Sequence, residues 1–334
     1  QGEQAVKQRR LGRNGPQVGE VGFGAMSFGG FFGPTDMGTS HRTLDQALEL
    51  DVTHLDTAMI YGPHISEEFI GAYFGKNPAA KKRFVIATKG GIAINPRGFD
   101  NSPAFLRDCL EGSLRRLGVD HVALYYVHRR DHSLPIEEVT GVLADLVREG
   151  KIGAIGYSEI SPASLERAAK VHPVAAVQSE YSLWSRQPEL GMLQACARLG
   201  TSFVAFSPVA RGMLTDVPLD PPSFADIDFR KGNPRFTEPN FAWNVERIAA
   251  FKSFARQRGW TTAALAIAWT LRQGEHVIPI PGTRSPDHLA ENAAATDILL
   301  GEEDMCEIDR ILPPGFAHGH RYSEQQLKGV EQFC

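Results

Sequence analysis

The sequence predicts an α/β fold, a (β/α)8 TIM barrel with an N-terminal β-hairpin plug and an extra C-terminal helix and tail. Three observations predict it. Strand-like and helical runs alternate through most of the 334 residues, as in a parallel sheet covered by helices. The strand-like runs are short, continuous and rich in β-branched residues, the pattern of strands buried on both faces. Successive runs also end in a polar side chain: Asp56, then Lys89, then His128. A parallel barrel builds its site in that way, at the C-terminal ends of its strands. Closure removes the sheet edges, so a barrel accommodates about eight strand–helix units better than an open sheet. One domain is expected, with the hairpin at 8–20, the barrel at about 21–295 and the C-terminal helix and tail at 302–334.

The elements follow in order. Residues 8–24 read as a hairpin, with Asn14-Gly15 suited to a tight type I′ turn. The first buried strand is expected at 21–25, before a glycine-rich segment carrying Phe31 and Phe32. Helix 39–50 has Ser40 as a candidate cap, and helix 66–74 has Ser66. Between them lies strand 53–57. Strand 84–88 precedes helix 102–117, with Ser102 as cap, Pro103 in the first turn and Gly118 as the stop. The alternation continues through strand 122–127, helix 136–148, strand 152–157, helix 161–170, strand 175–178 and helix 190–198. Strand 202–206 leads into a long loop at 210–240, a length that usually marks function. Helices at 243–258 and 262–271, strand 277–280, helix 286–295 and a last helix at 302–311 complete the chain. The hairpin would plug one mouth of the barrel, and the 210–240 loop would lie at the other.

Composition bounds the function. Apolar residues make up 42% of the chain, enough for a large core, and the net charge of −4 disfavours nucleic-acid or membrane-surface partners. The four cysteines are scattered with no CxxC, reading as free thiols in a reducing, cytoplasmic setting. No apolar run is long enough to span a bilayer. The N-terminal stretch is polar and basic and does not read as a signal peptide.

Asp56, Tyr61, Lys89 and His128 form the candidate catalytic group. A phenol is a poor acid at neutral pH. A lysine ammonium beside it favours the phenolate and would lower its pKa, and a carboxylate would hold that lysine charged. Such a tyrosine can protonate a developing alkoxide while a dinucleotide supplies hydride, with a neutral imidazole orienting the carbonyl. The plainer alternative is a buried Asp–Lys pair beside a core tyrosine and a satisfied histidine. Other signals are weaker. Gly22-x-Gly24 lacks the third glycine of a dinucleotide fingerprint and reads as strand and loop glycine. His128 and His132 share no helical face, so no metal site is expected.

The chain resembles the aldo-keto reductase superfamily. The resemblance rests on Leu55-Asp56-Thr57-Ala58-x-x-Tyr61-Gly62, Ala87-Thr88-Lys89-Gly90 and Leu124-Tyr125-Tyr126-x-His128-Arg129-x-Asp131. It continues in Ile155-Gly156-Tyr157-Ser158-Glu159, Val177-Gln178-x-Glu180-Tyr181-Ser182-Leu183, Ala205-Phe206-Ser207-Pro208, Ile280-Pro281-Gly282-Thr283-Arg284 and Glu291-Asn292. It implies a barrel that binds NADPH/NADP+ and acts on a small-molecule carbonyl substrate, with Asp56, Tyr61, Lys89 and His128 as the catalytic tetrad. Ser158 and Gln178 would hold the nicotinamide carboxamide, with Glu159 where the family has Asn. Phe206 would stack on the nicotinamide, and Ser207 and Leu214 would cover the pyrophosphate with the loop from Arg211. Thr283 and Arg284, with the start of the helix at 286–295, would hold the adenosine 2′-phosphate, and Gly282, His288, Glu291 and Asn292 would also belong to the cofactor site. His288 stands where many relatives carry Arg, which leaves NADH as a second candidate cofactor. Met26, Phe31, Phe32 and Arg129 are the candidate substrate residues. Trp184 and Trp243 divide between mouth lining and core packing. The segment Tyr181–Arg186 also resembles potassium-channel β subunits, which implies an alternative role as a cofactor-binding partner with little turnover. Neither the substrate nor the oligomeric state is written in the sequence.

Overall fold

The computed structural model describes residues 7–334. Strands β1 (Gln8–Arg10) and β2 (Gln17–Gly19) form the antiparallel hairpin. Strands β3 (Phe23–Gly24), β4 (His54–Asp56) and β5 (Val85–Gly90) begin the barrel. A second hairpin, β6 (Ile92–Ile94) and β7 (Arg97–Phe99), follows β5 directly. The barrel continues with β8 (Leu124–Val127), β9 (Ile155–Ser158), β10 (Val174–Glu180), β11 (Ser202–Phe206) and β12 (Val277–Ile280). These eight barrel strands pair in parallel in chain order. The ring closes where the Gly22 and Gly24 amides donate to the Pro279 and Pro281 carbonyls at 2.9 and 3.2 Å. A Cβ at Gly24 would come within 2.9 Å of the Ile280 carbonyl oxygen, so the paired glycines let the seam close.

The helices are α1 (Met37–Glu49), α2 (Ile65–Lys76), α3 (Pro78–Lys81), α4 (Pro103–Leu117), α5 (Ile136–Arg148) and α6 (Pro162–Ala169). After them come α7 (Met192–Leu199), α8 (Asn240–Gln257), α9 (Thr262–Leu271), α10 (Pro286–Ala293) and α11 (Glu302–Ile311). The elements at 136–148, 202–206, 262–271, 277–280 and 302–311 begin and end where the sequence pattern places them. Ser102 caps α4 as expected, and Gly118 ends it in the left-handed region.

Three local expectations are corrected. Asp36, not Ser40, caps α1, because its carboxylate accepts from the Thr39 amide at 2.8 Å. Ser66 is not a cap: its hydroxyl is buried on the Ala25 carbonyl at 2.9 Å, and α2 starts one residue earlier. The first hairpin does not turn on Asn14-Gly15 as a type I′ pair. Its loop is longer, and Gly12 carries the positive φ of 77°.

That hairpin does plug the barrel. Leu11 and Val18 pack with the inward-facing Ala87, Leu124, Tyr126, Ala176, Val204, Ile278 and Ile280. Side chains alternate along a strand, so every second residue continues into the lumen. Two residues beyond that apolar layer the inward positions are Lys89, His128, Gln178, Phe206 and Gly282. The outward set, among it Leu55, Tyr125, Val127 and Phe203, packs against helix residues such as Leu110, Leu143 and Ile267.

Candidate active site

The polar layer above the apolar lumen is where the chemistry collects. Asp56 ends β4, Lys89 lies near the end of β5, and both side chains are fully buried. A buried ion pair needs close geometry and further hydrogen bonds, and this one has both. Lys89 Nζ donates to Asp56 Oδ1, to the Thr57 carbonyl at 2.8 Å and to the Tyr61 hydroxyl at 3.1 Å. The other Asp56 oxygen accepts from Gln178 Nε2 at 2.7 Å. Tyr61 lies edge-on to His128, with ring centroids 5.8 Å apart. The four residues named from the sequence therefore meet at one point.

The electrostatics correct one expectation. Burial raises the Tyr61 pKa above its ordinary value, against the opposing pull of Lys89, so the phenol holds its proton. Lys89 is pushed up by Asp56 and Tyr61 despite the cost of burial. His128 is driven well below its usual value, first by burial and then by Arg129, Lys89 and Arg97. The imidazole is neutral, and its buried Nδ1 has no hydrogen-bond partner.

Around this centre lie the other residues named from the sequence. Phe31 stands edge-on to Tyr61 at 6.4 Å, and Met26 and Phe32 are half-buried on the same β3–α1 connection. Ser158 ends β9, where its hydroxyl accepts from Arg129 Nη1 at 3.0 Å. Phe206 is half-buried at the end of β11, and Ser207 follows with a positive φ of 52°. Leu214 is fully buried in the core, and its amide donates to the Val209 carbonyl at 3.1 Å.

Beyond β12, Gly282 is exposed and Thr283 buried. Arg284 is half-buried and donates to the Phe32 carbonyl at 2.6 Å. Ser285 caps α10. His288 is exposed, Glu291 half-buried and Asn292 buried on that helix. This set suits a phosphorylated dinucleotide. The loops after the last two strands of such a barrel, with a helix N-terminus, form a phosphate site. Ala210, Arg211 and Gly212 repeat the positive φ of Ser207 in the loop after β11.

Trp184 and Trp243 separate. Trp184 packs in the core beneath Arg235, with its ring 5.6 Å from Phe236. Trp243 is exposed on α8 against His318 of the tail. The segment 181–186 is consumed by internal packing. The Tyr181 hydroxyl donates to Glu189 at 2.8 Å, and Arg186 pairs with Glu189 and Asp309.

A second buried cluster takes in Glu159 and Arg211, which the sequence reading places near the cofactor, and joins them to residues to which it assigns no role. Glu159 and Glu180, at the ends of β9 and β10, are both ligated by Arg321 of the tail. Arg211 donates to Glu180 at 2.7 Å and to the Arg321 carbonyl at 2.8 Å. Arg321 and its neighbour Arg129 hold the Glu159 carboxyl down to about 2, against a burial cost that alone would raise it. Cys334 lies against Glu159 at 3.2 Å. Buried acids at two adjacent strand ends demand cations. That was the available signal, but nothing in the sequence spacing points to Arg321.

The profile of the Aldo/keto reductase family matches residues 20–313. Aldo-keto reductase yakc [NADP(+)] of Schizosaccharomyces pombe is 36% identical over 325 residues, 95% of each chain. The glycerol dehydrogenase AKR11B4 from Gluconobacter oxydans superposes with a TM-score of 0.82 at 29% identity, over 92% of this chain and 96% of that one. An aldo/keto reductase from Klebsiella pneumoniae in complex with NADP and acetate superposes at 0.73 with 26% identity, over 95% and 99% of the two chains.

Proposed function

The chain belongs to the aldo/keto reductase family, and from that premise we propose that it reduces aldehydes and ketones to alcohols with NADPH. The observation that carries the reading is the Lys89 ammonium donating to the Tyr61 hydroxyl at 3.1 Å while Asp56 holds the lysine from behind.

Burial keeps the phenol protonated in the resting site. When negative charge grows on a carbonyl oxygen at Tyr61, the proton passes from the phenol to that oxygen. The phenolate left behind is stabilised by Lys89, whose charge is of no use to it beforehand. Gln178 and the Thr57 carbonyl complete the shell that fixes the pair. His128, kept neutral, presents its edge beside Tyr61 and orients the carbonyl. Solvent then returns a proton to Tyr61.

NADPH, when bound, supplies the hydride to the carbonyl carbon. Ser158 and the Gln178 amide oxygen would hold its carboxamide, Phe206 would stack on its ring, and Ser207 with the following loop would cradle the pyrophosphate. The Arg284 fork and the start of α10 suit the 2′-phosphate, which favours NADPH over NADH. Purified protein mixed with NADPH and a panel of aldehydes tests the reading by loss of cofactor absorbance. Cofactor binding with no consumption across the panel would replace it by a partner-protein role of the channel-subunit kind.

A further inference from the structure

We propose that Arg129 is the specificity residue of this site and that the natural carbonyl substrate carries a carboxylate. The inference rests on the reductase reading above and gives it a substrate class.

The arginines of the catalytic face divide by partner. Arg321 and Arg211 have Glu159 and Glu180. Arg230 has Asp228, and Arg130 has Glu331 at 3.6 Å. Arg284 faces the cofactor side, on the Phe32 carbonyl. Arg235 is buried and spent on Ser185, the Gly319 carbonyl and the Trp184 ring. Arg129 is different. It is half-buried, and among the described residues it makes no ion pair. Its contacts are all to neutral oxygens: its neighbour's carbonyl on His128 at 2.7 Å, the Ser158 hydroxyl at 3.0 Å and the Tyr322 hydroxyl at 3.4 Å. A guanidinium has five N–H donors in a fixed fork, so the fork keeps donors to spare.

The side chain is also held in place. The tail passes over its stem, so close that a Cβ on Gly329 would lie 3.1 Å from the Arg129 Cβ. A cation fixed in advance binds an anion without the cost of ordering a long side chain. Arg129 follows His128 directly in the chain and bonds the His128 carbonyl and the Ser158 hydroxyl, which fixes its head beside the reacting centre. Its charge also acts on His128 and Tyr61. Arg97, exposed on the second hairpin, adds to the same positive field. The charge of Arg129 also acts on Glu159, but the direct ion pair of that acid is with Arg321, so a ligand carboxylate meets a fork with open donors and adds a bidentate pair. Arg129 brings one positive charge, which a carboxylate neutralises and a phosphate dianion exceeds, whereas the Arg284 fork is joined by the N-terminus of α10.

The test compares aldehydes of similar shape with and without the charge: 4-oxobutanoate against butanal, and 4-carboxybenzaldehyde against methyl 4-formylbenzoate. The acids should have kcat/KM about 10- to 100-fold above their neutral partners, the worth of hydrogen bonds to a charged group. In Arg129→Met that ratio should fall towards one, whatever happens to the common rate. Arg129→Lys should keep part of it. Benzoate should compete with butanal in the wild type where benzamide does not, a measurement that needs no variant. Equal rates for acid and neutral aldehydes, or an acid preference that survives Arg129→Met, would overturn the carboxylate assignment and leave the reductase reading standing. A preference for 4-formylphenyl phosphate over 4-carboxybenzaldehyde would overturn the choice of anion. No turnover of any aldehyde would count against both.

Discussion

Two buried ionic clusters crown this barrel, and they are built differently. One joins Asp56, Lys89 and Tyr61, from adjacent strands and the connection between them. The other joins Glu159 and Glu180 to Arg321 across as much as 162 positions of chain. In the first, an ammonium already paired with Asp56 also donates to a neutral phenol, which on the proposed mechanism gains charge only in the reaction. In the second, every charge is matched at rest: carboxylate to guanidinium, with a backbone amide on Glu159 at 3.0 Å. The first cluster keeps electrostatic capacity in reserve, and the second has spent it on fastening the tail. A catalytic site and a structural clasp can therefore share residue types, burial and strand position, and differ in whether a group is left waiting.

The largest expected effect breaks the first cluster. Tyr61→Phe removes one hydroxyl from a ring that otherwise stays packed against Phe31 and His128. Aldehyde turnover should fall by about 10²- to 10⁴-fold, the usual worth of a positioned acid, with NADPH binding nearly unchanged by fluorescence titration. Near-normal turnover would move this cluster into the structural class.

Next comes the clasp. Arg321→Met leaves Glu159 buried without its principal partner, a change that costs about 3–5 kcal/mol. Urea unfolding should show that loss, and limited proteolysis should cut the tail beyond residue 312 sooner than in the wild type. A variant as stable and as resistant as the parent would mean that the clasp holds nothing.

The same cluster makes a pH prediction. The folded carboxyl of Glu159 sits at about 2, below its ordinary 4.5. The unfolded chain therefore takes up the proton first as pH falls. The contribution is complete above 4.5 and is lost as pH drops towards 2. The gap is worth about 3 kcal/mol. In Glu159→Gln the stability curve should be flatter across that window. Unchanged steepness would assign the acid loss to other carboxylates.

A smaller effect separates the two cofactors. Arg284→Ala should raise the KM for NADPH about 10-fold, or about 1.4 kcal/mol, and leave that for NADH nearly untouched. Equal effects would place the guanidinium away from the 2′-phosphate and return it to its contact with the Phe32 carbonyl.

How much of this was legible follows from the same contrast. The barrel was readable because each strand carries its own period and each helix its own start and stop. The meeting of Asp56, Lys89 and His128 was readable because strand ends at 56, 89 and 128 point to one mouth in any such barrel. The clasp was not, because tail position 321 has no periodicity and is placed only by the acids it meets. The misassigned caps at Ser40 and Ser66 have two causes: Asp36 is the stronger local cap for the first helix, and Ser66 is taken by the Ala25 carbonyl 41 positions away, which spacing does not reveal. The direction of the Tyr61 shift was missed because a neighbour's charge is visible in sequence and the depth of burial is not.

The smallest expected effect is an absence, and it sharpens the comparison most. Burial acts most strongly on His128, and the charges of Arg129, Lys89 and Arg97 add to it in the same direction. A histidine that titrated normally would impose a break near pH 6.5 on kcat/KM. Here its pKa is driven well below that value, so the imidazole stays neutral from there upward. The rate of a neutral aldehyde such as butanal should cross pH 6.5 without inflection. Arg129→Met removes the strongest of the charges acting on the ring, so it should let the pKa of His128 rise and bring an acidic limb closer to neutrality. A wild-type break near 6.5 would show a histidine that still titrates in its ordinary range, and neither burial nor Arg129 would then be what keeps it neutral.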